Sequence, residues 1–183
     1  MTVYTMFDSP LGEMLLAGEE STTAPGGVRL ASVSVPEQRG GATVGDGWRR
    51  DDAAFAAIVD QLRSYFAGRR TRFDIEFTSG GTPFQQRVWQ ALEEIPYGTT
   101  LSYGALAERA GASRTAVRAV GTAIGRNPLL VVRPCHRVIG ADGSLSGYAG
   151  GPERKRSLLR LEGVEGIDGV EAMKGVEGIK DHA

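Results

Sequence analysis

Residues 102–127 read SYGALAERAGASRTAVRAVGTAIGRN, and this stretch decides how the second half of the chain is expected to fold. Ser102 can cap a first helix over residues 103–110, because a serine hydroxyl accepts a hydrogen bond from an otherwise unpaired amide at the helix start. Residues 111–113 (GAS) predict a three-residue turn into a second helix that begins at Arg114. Helix, short turn and helix is the helix-turn-helix pattern, which DNA-binding proteins share with many ordinary helical hairpins.

A further helix is predicted ahead of this hairpin. Thr82 and Pro83 are typical of a helix start, and an apolar stripe follows at helical spacing until PYGTT (96–100) ends it. Its members are Phe84, Val88, Trp89 and Leu92. The helix around Arg118 carries small residues, so its backbone could lie close against another surface, although core packing explains them equally well.

The first 80 residues predict a small α+β unit. Two strands flank a turn at residues 9–12, a third strand covers residues 28–35, and a Gly-rich loop spans residues 36–50. A helix with Phe55, Ile58, Val59, Leu62 and Phe66 on one face comes next, and residues 71–77 predict a last strand.

Three segments are therefore expected. They are an N-terminal domain over residues 1–80, a C-terminal domain over residues 81–163, and a tail over residues 164–183. The tail repeats a glycine-rich hexapeptide, in copies that begin at Gly163, Gly169 and Gly175, and we expect it to be flexible because glycine opposes a stable helix.

The composition excludes several classes of protein. Hydrophobic residues make up 41% of the 183 residues and charged residues 23%, as in an ordinary soluble domain. We expect neither a signal peptide nor a membrane span, and a single cysteine fits a reducing cytoplasm. One Cys and two His are too few ligands for a typical zinc site, so no metal and no cofactor are expected.

Charge is distributed unevenly along the chain. The net charge is -1, yet residues 97–162 hold ten Arg or Lys against four Asp or Glu, which leaves -7 on the remainder. A basic segment beside an acidic one is typical of a face that meets phosphates, although a solvated surface explains it equally well.

Cys135, in PCHRV at residues 134–138, is the only cysteine. An unperturbed cysteine has a pKa of about 8.5, so a nucleophilic one needs help, which His136, Arg133 and Arg137 could supply. In an extended segment the side chains of Cys135 and His136 would point to opposite faces, so a contact would need a bridging water or a bend. Most lone intracellular cysteines are buried small hydrophobes, and the motif by itself leaves both interpretations open.

The surrounding motifs are more specific. PCHRVIG follows AVRAVG and GRNP and precedes GYAGG, and residues 82–111 read TPFQQRVWQALEEIPYGTTLSYGALAERAG. Together, from about Thr82 to Gly163, they resemble the O6-alkylguanine-DNA alkyltransferase family, which removes alkyl groups from damaged guanine. The resemblance implies an α+β protein with a small N-terminal α/β (RNase H-like) domain and a mainly helical C-terminal domain with a helix-turn-helix. The first 80 residues fit this pattern more loosely.

The resemblance also implies catalytic roles. Cys135 matches the acceptor that keeps the alkyl group as a thioether, so each molecule should act once on O6-alkylguanine or O4-alkylthymine in DNA. His136 matches the histidine that deprotonates this cysteine through a water, and Glu162 the carboxylate that orients the histidine. Tyr103 matches the hydroxyl that donates to the departing guanine, and Asn127 the residue that braces the active-site turn. The alternatives are a tyrosine packed between helices and ordinary turn chemistry.

The implied partner is double-stranded DNA, bound in the minor groove with little sequence specificity because minor-groove readout is degenerate. Arg118 matches the arginine that fills the space left by a flipped base. The other predicted DNA-binding residues are Ala116, Ala119, Thr115 and Gly121, to which we add Arg114 and Arg126 as phosphate contacts. The predicted pocket residues are Tyr148, Gly147, Ala149, Gly150, Val138 and Ile124. We expect a monomer; cooperative DNA binding and the range of alkyl groups are left open.

Two other functions would leave different traces in the sequence. A relative that recognises lesions without chemistry would carry another residue, commonly tryptophan, at position 135. A Cys-His hydrolase would turn over repeatedly and would have no need of a helix-turn-helix.

Overall fold

The computed structural model describes residues 1–167, which form two compact units. The N-terminal unit contains residues 1–82 together with residues 126–133. The C-terminal unit contains residues 83–125 and the chain from Pro134 onward. By its packing, the segment 126–133 thus belongs to the unit built from the first 82 residues.

A five-stranded mixed sheet is the centre of the N-terminal unit. Three long strands, β1 (Thr2–Ser9), β2 (Gly12–Glu20) and β3 (Val28–Ser34), pair in antiparallel fashion. Two short strands, β4 (Arg49–Arg50) and β5 (Glu76–Phe77), add in parallel at the edges and give the order β4-β1-β2-β3-β5. The predicted hairpin is confirmed, because the Pro-Leu turn between β1 and β2 lies where the sequence expects it.

Helix α1 (Ala56–Phe66) follows a 3-10 turn over Ala53–Phe55. Its apolar face buries Ile58, Leu62 and Tyr65, and Phe55 is fully buried just ahead of it. The predicted helix is therefore confirmed. The last strand is shorter than predicted, because the Gln61 side chain takes both the amide and the carbonyl of Asp74 that a longer strand would use.

The C-terminal unit is mainly helical, as predicted. Its helices are α2 (Pro83–Glu93), α3 (Tyr103–Arg109), α4 (Val117–Gly125) and α5 (Pro152–Leu161). Two short parallel strands, β6 (Leu101–Ser102) and β7 (Val138–Ile139), lie among them. Trp89 of α2 is buried, and its indole donates to the Ala123 carbonyl at 2.9 Å, which ties α2 to α4.

The turn between α3 and α4 is longer than the three residues predicted. Ser102 caps α3 as expected, accepting from the Ala105 amide at 3.1 Å. The Ser113 hydroxyl, however, accepts from the Thr115 amide at 3.1 Å, and such a local bond competes with helix formation. Helix α4 accordingly begins at Val117, so that residues 114–116 lie in the turn.

The first residues of the predicted tail pack into the C-terminal unit. Ile167 is buried in a small apolar cluster with Leu145 and Leu159, and Val164 packs against it. Val164 and Ile167 belong to the first hexapeptide copy and account for its packing. The second and third copies, from Gly169, lie outside the described residues.

The α+β fold class is confirmed by this mixed sheet followed by a helical unit. Across residues 1–167, no helix has both the length and the apolar character needed to cross a membrane.

A β-bulge between Ala17 and Gly18 shifts the pairing of β2 with β3. A Cβ at Gly18 would overlap the Arg29 carbonyl and lie 2.8 Å from the Val28 side chain. We expect Gly18→Ala to lower the free energy of unfolding by about 1–3 kcal/mol in urea denaturation. Gly80→Ala is the matched control, because nothing lies within 4 Å of its added Cβ, and equal losses would show that the bulge does not require glycine.

Candidate functional site

Cys135, His136 and Arg137 form a single turn of 3-10 helix that leads into β7. The Arg137 amide donates to the Pro134 carbonyl at 3.0 Å and closes the turn. All three side chains are buried, with relative exposures of 3%, 0% and 7%. The bend after Pro134 replaces the extended segment, so the objection that adjacent side chains point to opposite faces no longer applies.

Glu162 follows the last residue of α5, and its fully buried side chain accepts four hydrogen bonds. Arg137 donates two of them, from Nε to Oε1 at 2.8 Å and from Nη2 to Oε2 at 3.0 Å. The Gly98 amide donates to Oε1 at 3.1 Å, and His136 Nε2 lies 2.8 Å from Oε2. The predicted Glu162–His136 pair is therefore present in the structure.

His136 is held as a neutral imidazole with a defined tautomer. Burial lowers its pKa below the ordinary 6.5, and the hydrogen bond that it donates to Glu162 only partly opposes this effect. Because a carboxylate can only accept, Nε2 carries the proton and Nδ1 keeps its lone pair. Among the described residues Nδ1 has no hydrogen-bond partner, so it is the ring nitrogen that can accept a proton.

Tyr103 is placed beside the cysteine turn by the two short strands. Leu101 pairs with Val138 and Ser102 with Ile139, so the start of α3 lies next to the residues that follow Cys135. Burial raises the pKa of the half-buried Tyr103 hydroxyl, and the nearby Cys135 adds to this effect. This hydroxyl is therefore a hydrogen-bond donor at neutral pH.

Two glycines border the Tyr103 ring. A Cβ at Gly121 of α4 would lie 4.0 Å from the ring edge, and one at Gly147 would lie 3.0 Å from the hydroxyl. Gly147 also has a φ of 89°, which side chains rarely adopt. The structure thus brings three of the predicted site residues together, and any larger side chain at Gly147 would press on the tyrosine hydroxyl.

Tyr148 is a buried member of the predicted pocket. Its ring is 5% exposed, and its hydroxyl makes no hydrogen bond within residues 1–167. Burial raises its pKa well above 10, and the charge of Cys135 adds to that shift. Of the other predicted pocket residues, Val138, Ile124 and Gly150 are buried, and Ala149 is half-buried.

The predicted DNA-binding residues lie on α4, in the turn before it and, for Arg126, directly after it. Arg118 and Ala119 are exposed on α4, opposite the face that buries Val120 and Ala123. Arg114 lies in the turn and pairs with Glu108 at 2.9 Å. The members of the predicted set that lie outside the α4 helix are Arg114, Thr115, Ala116 and Arg126.

Asn127 lies in the segment that packs with the N-terminal unit. Its side-chain Nδ2 donates to the Arg133 carbonyl at 3.1 Å, and its side-chain Oδ1 accepts from the Leu129 backbone amide at 3.0 Å. Leu129 bridges to Val33 of β3. The buried Val131 is held at a φ of 72°, an unusual conformation for a β-branched residue. Asn127 thus fastens the chain two residues ahead of Cys135.

Two buried cations were missed as site residues. The sequence singled out Arg137 only as a nearby charge, although it makes the main contact with Glu162. Lys155 was not singled out, yet it is 1% exposed and its charge interacts with that of Cys135. The available signal was the seven-residue spacing between Lys155 on α5 and Glu162 directly after this helix. Within residues 1–167 no cluster of His, Cys, Asp or Glu could hold a metal ion.

Two family models match nearly all of the described chain. One, described as 6-O-methylguanine DNA methyltransferase, ribonuclease-like domain, matches residues 2–78, and the other, described as the DNA binding domain, matches residues 83–164. The chain belongs to the 6-O-methylguanine DNA methyltransferase family. The resemblance inferred from the motifs is thereby confirmed, together with the fold class and the expectation of an enzyme.

Relatives of this methyltransferase family align along most of their length. A Mycobacterium tuberculosis protein named methylated-DNA–protein-cysteine methyltransferase is 49% identical over 162 residues, or 88% of this chain and 93% of its own. One of the same name from Methanosarcina acetivorans is 44% identical over 160 residues, covering 87% and 97%. The solved structure of Mycobacterium tuberculosis OGT in complex with DNA is similar at 50% identity and a TM-score of 0.78, covering 87% and 92%.

Removing Arg137 should destabilise the protein strongly, because the Glu162 carboxylate would stay buried without its guanidinium. We expect Arg137→Met to lower the free energy of unfolding by about 3–5 kcal/mol, measured by chemical denaturation of the full chain. Arg109→Met makes the same charge change at an exposed site and should cost less than about 0.5 kcal/mol. Similar losses in both variants would contradict the stabilising role of Arg137.

Proposed function

We propose that this chain repairs DNA by transferring the alkyl group of O6-alkylguanine irreversibly to Cys135, one transfer per molecule. The observation that carries the proposal is the buried Glu162–His136 pair, which leaves Nδ1 with a lone pair on the residue next to the only cysteine. Family membership supports it, as do relatives named methylated-DNA–protein-cysteine methyltransferase.

Activation of the thiol begins with the neutral imidazole. His136 Nδ1 accepts the Cys135 proton through a water molecule, while Glu162 holds the ring in the required tautomer and stabilises the positive charge that it gains. The thiolate then attacks the alkyl carbon. The S–C bond forms as the O6–C bond breaks, and the electron pair of the broken bond stays on guanine.

Departure of guanine is assisted by Tyr103. Negative charge develops on the base as the O6–C bond breaks, and a donor aimed at the ring lowers the energy of that transition state. The raised pKa of Tyr103 keeps its proton in place for this purpose. The product thioether carries no activated leaving group, so the protein is consumed by one reaction.

Access to the alkylated oxygen requires the base to leave the stack. We propose that α4 lies in the minor groove of double-stranded DNA, with little preference for sequence, and that Arg118 fills the space of the flipped base. The exposure of Arg118 and Ala119 supports this role, and a matching family model described as a DNA binding domain supports DNA as the partner. Asn127 would brace the turn, and the segment with Gly147 and Tyr148 would line the base pocket.

Some finer expectations belong to the same proposal. Transfer from O4-alkylthymine, a monomeric state and a cytoplasmic location rest on the resemblance and the composition.

Stoichiometry tests the proposal directly. Titration of the protein against duplex DNA with radiolabelled O6-methylguanine should reach a plateau at one methyl per protein, with the added mass on the Cys135 peptide. Cys135→Ala should abolish transfer, because no other thiol exists in the chain. Tight binding to the lesion without transfer would favour a damage-recognition protein, and continued turnover would refute the suicidal reaction.

Arg118→Ala tests base flipping separately from DNA affinity. Since flipping costs a few kcal/mol, loss of the side chain that fills the gap should slow methyl transfer from duplex DNA by about tenfold or more. Binding to undamaged duplex should fall much less, because the variant loses only one of the positive charges that attract the phosphates. Arg109→Ala removes the same charge and is the control. Equal losses of methyl transfer and of non-specific binding in Arg118→Ala would count against the proposed role of Arg118.

A further inference from the structure

Helix α5 turns one face toward the cysteine turn, and that face carries a buried cation as well as the Glu162 carboxylate. Lys155 and Glu162 are seven residues apart, which is two helical turns, so they lie on the same side of the helix. Leu158 and Leu159 lie between them and are also buried. Helix α5 packs against the turn formed by Cys135, His136 and Arg137.

The ammonium of Lys155 is almost completely removed from water, with 1% of the residue exposed. Within residues 1–167 no carboxylate pairs with it. Glu162, the acid on the same face, is engaged by Arg137 and His136. Burying a charged lysine without a carboxylate partner is unfavourable. Lys155 is also the only lysine among the ten basic residues of the segment 97–162.

The charge that favours the cationic form of Lys155 is that of Cys135. Burial lowers the pKa of Lys155 from 10.5 to about 8, and Cys135 acts in the opposite direction. His136 responds to Lys155 as well, because a cation nearby disfavours the imidazolium form. The Lys155 ammonium therefore favours a negative charge on Cys135 and disfavours a positive charge on His136.

We propose that Lys155 is a positioning residue whose ammonium, rather than an imidazolium on His136, is the resting counterion of the Cys135 thiolate. The inference rests on the proposed function, because it concerns the same nucleophile. The thiol proton leaves through His136 Nδ1 to solvent, Lys155 keeps its own proton, and the neutral imidazole returns. This arrangement differs from a protease-like Cys–His ion pair.

Other ionisable groups surround this pair and enter its pH dependence. On the turn they are Cys135, His136 and Arg137, on or next to α5 they are Arg154 and Glu162, and from the neighbouring elements they are Tyr103 and Tyr148. Both tyrosines keep their protons beyond neutral pH, and Glu162 is matched by Arg137. Lys155, whose pKa is about 8, is then the cation of this set whose charge changes at mildly basic pH.

The same burial predicts the sign of a stability effect. The folded pKa of Lys155 lies below its unfolded value, so the unfolded chain binds more protons between about pH 8 and pH 10.5. Below about pH 8, burial of the charged Lys155 lowers the free energy of unfolding by its full amount. This loss shrinks as the pH rises from about 8 to 10.5. Lys155→Met removes the penalty, so the variant should be more stable than the wild type at pH 7.

The test measures the thiolate in the full-length protein. Because Cys135 is the only cysteine, the rate of alkylation by iodoacetamide as a function of pH, followed by intact mass, reports on that thiol alone. We expect Lys155→Met and Lys155→Gln to raise the midpoint of this profile by about one pH unit or more. Methyl transfer from O6-methylguanine in duplex DNA should slow about tenfold at pH 7 and recover at higher pH.

Arg160→Met is the matched control, because it removes a cation from the exposed side of the same helix and should leave both profiles unchanged. A shifted midpoint in a variant with a raised melting temperature supports the inference, since a merely structural residue would not produce that combination. An unchanged midpoint in either Lys155 variant, or a loss of folding in both, overturns it. If iodoacetamide shows the shift while the wild type takes no methyl from DNA, the proposed function fails and the Lys155 inference stands.

Discussion

The buried carboxylate of Glu162 is the constraint on which the rest of the site depends. It stands just after α5 and draws its donors from two other places in the C-terminal unit: the side chains of the cysteine turn and the amide of Gly98 in the loop after α2. A carboxylate removed from water loses several kcal/mol unless each oxygen is satisfied, so these elements cannot shift independently. The tautomer of His136 follows from the same contact, and so does the availability of its second nitrogen.

Local signals in the sequence predicted much of this arrangement. The hairpin of β1 and β2, the apolar face of α1 and the Ser102 cap each depend on neighbouring residues whose spacing is visible in one chain. The order of linked motifs from Thr82 to Gly163 was specific enough to indicate the family. The Glu162–His136 pair could be expected from the resemblance, although not from spacing alone.

Other features depend on contacts that no local pattern records. The paired hydrogen bonds from Arg137 to Glu162 join residues 25 positions apart. From the sequence alone, an arginine close to a cysteine indicates only a nearby charge. The late start of α4 comes from the Ser113 hydroxyl, which offers the backbone an alternative to the helix. The burial of Lys155 depends on how α5 lies against the turn, since the sequence PERKRS looks like a solvated surface.

The return of residues 126–133 to the N-terminal unit bears on how the two domains can be inherited. Family models divide the chain near residue 80, yet the packing of the first domain includes Leu129 beside β3 and the strained Val131. Exchanging the first domain alone between relatives would leave the segment before Cys135 against a foreign surface. We therefore expect recombination between relatives to preserve the fold only when both domains come from the same parent, although the family models place a boundary near residue 80.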